Sequence, residues 1–144
     1  TCDSNQIQDC DHQALMNTYD NTLLYSDDMI ARTIDMLKGL SDRFNVALVY
    51  LSDHGESLGE HGMYLHGAPY LFAPSQQTHI PLLLWMSDDY AKTYGISQAC
   101  LRQQAPTAEV SQDNLFHTLL GMFNVQTSEY QPQLDMIRTC RKAG

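Results

Sequence analysis

The chain has 144 residues, 43% hydrophobic and 17% charged, with eight Lys and Arg against seventeen Asp and Glu for a formal net charge of -9. This composition belongs to a globular protein and excludes a disordered or fibrous one, and so few basic residues exclude nucleic acid as a partner. The longest apolar runs, 46–51 and 80–86, fall far short of the roughly 20 residues that span a bilayer.

The sequence opens at Thr1 without an initiator Met, a basic n-region or an apolar signal core, so it is expected to be a processed or excised piece of a longer protein. Leu15, Tyr19, Leu23, Ile30, Ile34 and Leu37 then recur at helical spacing, with Asp27, Asp28, Arg32 and Lys38 mainly off that stripe. The pattern predicts a long amphipathic helix ending at Gly39. Residues 46–51 form a continuous apolar run of strand formers, expected to be a central strand buried on both faces.

From Ser52 to Ser75 the composition shifts to Gly, His, Asp, Glu and Pro, a connection longer than compact domains usually keep without a function. Residues 78–86 predict a second strand, with Pro81 marking an edge or a start, and Ser87 caps a short helix after it. A further helical turn is expected over 97–105. Ser111 then caps a helix whose apolar face is Leu115, Leu119, Leu120 and Phe123. The order helix, strand, loop, strand, helix indicates an α/β sandwich with an at least partly parallel sheet, and no linker separates a second domain within 1–144.

Four cysteines fall into a close pair, Cys2 and Cys10, and a distant pair, Cys100 and Cys140. An even count without any CxxC spacing points to two disulfides and an oxidising compartment rather than a zinc knot. In the chain-entropy picture the larger loop contributes about 4 kcal/mol.

The chemistry is expected in the stretch that follows the first strand. Asp53 and His54 fall at its C-terminal end, where open α/β sheets bind ligands, and both residue types are direct zinc ligands. Glu56, Glu60, His61 and His66 follow within a dozen residues, so one loop holds three of the six histidines. The plainer alternative makes Asp53 a helix cap and His54 a hydrogen-bonded loop residue. The density of ligand-type side chains favours metal. His61 is read as a solvated loop residue, His79 as a further candidate, and His12 and His117 as structural.

Tyr50-Leu51-Ser52-Asp53-His54-Gly55-Glu56-Ser57-Leu58-Gly59-Glu60 followed by Tyr64-Leu65-His66-Gly67 resembles the signature of the lipid A phosphoethanolamine transferases, which include the mobile colistin-resistance enzymes. The likeness extends to 17–21, to Ala73-Pro74 with Gln77, and to 111–115. It implies an alkaline-phosphatase-like sandwich of a mostly parallel sheet and helices, of which this chain is the C-terminal part. The implied reaction moves phosphoethanolamine from phosphatidylethanolamine to a lipid A phosphate through a phosphothreonine enzyme, conferring polymyxin resistance.

By the same resemblance Asp53 and His54 hold the main zinc, His66 serves a second metal or phosphate position, and Glu56 lies beside it. The implied setting is the periplasmic face of the inner membrane, reached by an anchor of preceding helices, with the full-length protein monomeric. The family's nucleophilic Thr, the Glu completing its main zinc site and a further His have no match here, so the chain alone is expected to be inactive. Two alternatives stay open: another sulfatase-superfamily enzyme, such as a sulfatase or a phosphoglycerol transferase, and a non-catalytic, disulfide-stapled zinc-binding domain.

Overall fold

The computed structural model describes residues 1–142. The chain forms two compact units, one of Thr1–Asp42 with Ala47–Trp85, the other of Arg43–Val46 with the chain from Met86 on.

The first unit begins with a turn closed by the Cys2–Cys10 disulfide and continues into helix α1, His12–Lys38. The Asp11 carboxylate caps it by accepting from the Ala14 N–H at 3.1 Å, and Gly39 ends it where the sequence predicts. Of the predicted apolar stripe, Leu15 is buried, Tyr19, Ile30, Ile34 and Leu37 are half-buried, and Leu23 is exposed. Leu24, Tyr25, Met29 and Met36 are exposed as well. Short strands offer too little surface to cover a helix of 27 residues.

Strand β1 is Ala47–Leu51 and pairs with β4, Leu82–Met86. The bonds flanking the pair are Ser52 N–H to the Pro81 carbonyl (3.3 Å) and Ser87 N–H to the Val46 carbonyl (2.9 Å), so the strands run antiparallel. Between them, β2 (Ser57–Leu58) pairs antiparallel with β3 (Tyr64–Leu65), and a short helix α2 spans Ser75–Thr78. The α/β class holds, but among the described residues the expected mostly parallel sheet is represented by antiparallel pairs. The connection from β1 to β4 is a loop with a hairpin, not the crossover that parallel pairing requires. All five residues of β1 are half-buried, so the strand is not sealed on both faces as its apolar run suggests.

In the second unit, Ser87 caps α3 (Asp88–Thr93) through a bond from the Tyr90 N–H, and Ser97 caps α4 (Gln98–Gln104) in the same way. Helix α5 spans Asp113–Met122. Its buried residues are His117, Thr118, Gly121 and Met122, while Phe123, expected on the apolar face, is 75% exposed. The reason is what covers the helix. An irregular segment lies on it, and the segment's amides need acceptors: Thr118 Oγ1 accepts from Met136 N–H (3.0 Å) and His117 Nδ1 from Gln131 N–H (3.1 Å). His117 is thus structural, as its helical position suggests.

The core of this unit is Tyr90, Ala91, Ile96, Met122, Ile137 and Cys140, with Ile137 fully buried. The Tyr90 hydroxyl donates to the Met122 carbonyl at 2.6 Å, and burial, reinforced by Tyr94, raises its pKa to about 12. Burial and the bond from its hydroxyl to the Asp135 carboxylate raise Tyr130 to about 12 too. A phenol whose folded pKa lies above its unfolded value stabilises the fold below the unfolded pKa, and that contribution disappears as pH rises through the folded one. The urea midpoint is therefore expected to fall between about pH 10 and 12. Tyr90→Phe should make this decline shallower, while costing about 1 kcal/mol at neutral pH through its lost hydrogen bond.

Candidate metal centre

The loop leaving β1 is held by close backbone contact with α2. Gly55 N–H donates to the Gln77 carbonyl (3.0 Å), and a Cβ on Gly55 would collide with the Gln76 carbonyl oxygen. Glycine is needed here for close approach rather than for a turn. Gln77, 7% exposed, then ties the loop from within: its Nε2 donates to Ser57 Oγ (2.8 Å) and its Oε1 accepts from the Ala68 N–H (3.2 Å). Gly55→Ala is expected to destabilise the protein by about 3 kcal/mol through backbone overpacking, measured by urea unfolding. An unchanged midpoint would show that the loop can move aside.

This clamp brings His54, Glu56 and His66 together, with one ligand atom of each within 4.8 Å of the others. The imidazoles of His54 and His66 stack with centroids 3.7 Å apart. His54 Nδ1 lies 3.1 Å from the Gly55 carbonyl, which can only accept, so the proton sits on Nδ1 and Nε2 keeps its lone pair. His66 Nδ1 lies 2.7 Å from Glu56 Oε1, and this carboxylate–imidazole pair leaves its Nε2 a lone pair too. Both rings therefore spend Nδ1 on these contacts and keep Nε2 outside them.

Glu56 supplies a second sign of a cation. Its Oε2 is buried without a hydrogen-bond partner, and a carboxylate oxygen withdrawn from water is costly unless positive charge meets it. Two imidazoles and a carboxylate are the donor set of zinc and similar divalent ions, so these residues fit a metal. Asp53 stands apart from the triad. Its side chain is 88% exposed, with Oδ2 3.7 Å from His54 Nε2, which leaves the His54–Asp53 pair on the open side of the cluster.

The segment carrying these residues matches a known family model. The model is the sulfatase model, and it aligns with residues 1–125. The chain belongs to the sulfatase family. Within reach of that family, it is 55% identical over 144 residues to the phosphoethanolamine transferase EptA of Escherichia coli strain K12, covering all of this chain and 26% of that protein. The phosphatidylethanolamine transferase Mcr-1, also from Escherichia coli, is 38% identical over 137 residues, covering 95% of this chain and 24% of its own length.

Among solved structures, the soluble domain of lipooligosaccharide phosphoethanolamine transferase A from Neisseria meningitidis matches with a TM-score of 0.94 and 45% identity, over 99% of this chain and 43% of that one. The structure of the same protein as an integral membrane protein matches with a TM-score of 0.94 and 45% identity, over 99% of this chain and 27% of its length. The chain thus spans about a quarter of the length of the curated relatives it matches. No helix among its described residues is long and apolar enough to cross a membrane.

This sulfatase-family loop joins His54, Glu56 and His66 and leaves Asp53 and three further candidates outside the triad. Glu60 accepts from the Leu58 N–H at 2.7 Å and so shapes the hairpin. His61 is exposed in the left-handed region at φ 53°, and His79 is exposed at the end of α2. Gln77 is the residue whose role sequence reasoning missed. Nothing in a lone glutamine signals burial; only its place in the family-like stretch marked it.

Proposed function

We propose that this chain is the metal-holding part of an enzyme that transfers phosphoethanolamine from phosphatidylethanolamine to a phosphate of lipid A, and that the metal is zinc. The observation that carries this reading is the likeness, at 45% identity and a TM-score of 0.94, to a lipooligosaccharide phosphoethanolamine transferase. Zinc bound at this cluster would supply positive charge against a transferring phosphoryl group and lower the pKa of a bound hydroxyl.

The chain's own residues do the rest. His54 would present Nε2 to an ion because its Nδ1 is spent on the Gly55 carbonyl, and Asp53 Oδ2, 3.7 Å away, would offer an adjoining oxygen. Glu56 holds His66 through Nδ1, so His66 Nε2 would serve as a ligand to an ion or, where no ion takes it, as the proton donor to a leaving oxygen. No Thr here matches the family's nucleophile, so transfer belongs to the longer protein, anchored in the inner membrane with this part on the periplasmic face. Adding phosphoethanolamine covers an anionic phosphate and brings an ammonium group. Cationic polymyxins such as colistin then bind the surface less.

Mass spectrometry of lipid A from bacteria expressing the full-length protein tests the reading. Phosphoethanolamine-bearing lipid A and a raised colistin tolerance are expected with the natural sequence, and the loss of both with Glu56→Gln. Unmodified lipid A from cells holding the folded natural protein in their inner membrane would overturn it.

A further inference from the structure

The second unit contains a cleft of 710 Å³ that plays no part in the metal cluster. Arg138, Arg141 and Lys142 line it together with Tyr130, Asn124 and Thr127. Three of the chain's eight Lys and Arg thus face one cavity in a protein of net charge -9. Such concentration against the overall field needs a reason. No ion pair neutralises any of the three among the described residues. The nearby acid, Asp135, is buried and occupied by the Tyr130 hydroxyl (2.6 Å) and the Ile137 N–H (3.0 Å).

Arg141 is the central group. Its Nη2 donates to the Gly121 carbonyl at 2.8 Å, which fixes the guanidinium, while its Nε is buried and without a partner. A guanidinium so held retains unspent donor capacity, and planar bidentate donors suit phosphate oxygens. The backbone that carries the three cations is immobilised on the neighbouring turn. Cys140 is joined to Cys100, its carbonyl accepts from Ser97 N–H (2.8 Å), Arg141 bridges Ile96, and Lys142 N–H donates to the Gly95 carbonyl (2.9 Å).

We propose that this cleft binds a phosphate-bearing anion the size of a phosphorylated sugar or a lipid headgroup. The volume falls within the range of small-molecule sites and exceeds what a bare phosphate fills. Arg138 and Lys142 at the exposed rim attract the anion, Arg141 fixes its phosphate, and Asn124 and Thr127 offer hydrogen bonds to the remainder. This site is independent of the transferase reading.

Calorimetric titration of the intact protein in EDTA, which removes metal-bound phosphate as a confounder, tests it with glucose 1-phosphate. A parallel arm uses sedimentation with phosphatidylcholine vesicles, with and without phosphatidic acid. Glucose 1-phosphate is expected to bind and uncharged glucose not to. The rim double variant Arg138→Gln/Lys142→Gln should weaken binding about ten-fold or more, while Arg102→Gln, exposed on α4, leaves it unchanged. Binding confined to phosphatidic acid vesicles and weakened by the same double variant would assign the site to a lipid headgroup. Equal affinity in the double variant, or no binding of either probe, would overturn the proposal.

Discussion

His54→Ala is expected to lower zinc affinity by on the order of 100-fold or more, because changing only a partner of a metal ligand already costs 10- to 100-fold. His54 is one of the three clustered side chains, and the bond from its Nδ1 to the Gly55 carbonyl leaves it no alternative tautomer without losing that contact. His66→Ala should act similarly, because it removes a second of the three clustered side chains. His61→Ala is the control, since that side chain is exposed and outside the cluster. Competitive zinc titration with a chromogenic chelator separates the cases. Equal affinity for His54→Ala and His61→Ala would remove the cluster as the metal site.

Replacing Cys100 and Cys140 together with Ser should cost about 4 kcal/mol, because the bridge closes a separation of 40 residues and so restricts the unfolded chain strongly. For a protein of this size that corresponds to a melting point lower by roughly 10 °C. The bridge also holds a buried core member, Cys140, at 4% exposure, next to Ile137 at 0%. Thermal unfolding of the double variant reads this directly. Opening Cys2–Cys10, with a separation of 8 residues at an exposed end of the chain, should matter less. An unchanged melting point for the Cys100/Cys140 variant would mean that the surrounding hydrogen bonds already define the segment.

The parts of this structure legible in the sequence are those set by local chemistry. Ser87 caps its helix because its side-chain oxygen reaches an amide three residues on, and Gly39 ends α1 where a glycine breaks the apolar spacing, whereas Ser111, expected to cap α5, accepts from the Asp113 N–H from one position outside the cap, which Gln112 holds without a side-chain bond. The two cysteine pairs follow from count and spacing. The ligand-rich loop stood out because His, Asp and Glu rarely gather between two apolar runs without a purpose.

What escaped depends on partners distant in sequence. The run 46–51 is apolar enough for burial on both faces, yet two-sided burial requires neighbours on either side, and the described residues pair this strand with β4 alone. Antiparallel pairing of β1 with β4 is invisible in composition, since either direction satisfies the same apolar residues. On α5, Thr118 is buried and Phe123 exposed because the covering segment presents amides needing acceptors, a feature no helical periodicity encodes. At the candidate site, Asp53 and His54 are adjacent in sequence, while the contact of Glu56 Oε1 with His66 Nδ1 at 2.7 Å joins residues ten apart.

Anomalous diffraction at the zinc edge, from crystals of the zinc-loaded protein, tests most directly whether the strand-end cluster is a metal centre. A peak is expected about 2.0 to 2.2 Å from His54 Nε2 and from a carboxylate oxygen of Asp53 or Glu56. A peak elsewhere, or none in crystals where the loop from Ser52 to Ser75 is ordered, would contradict it.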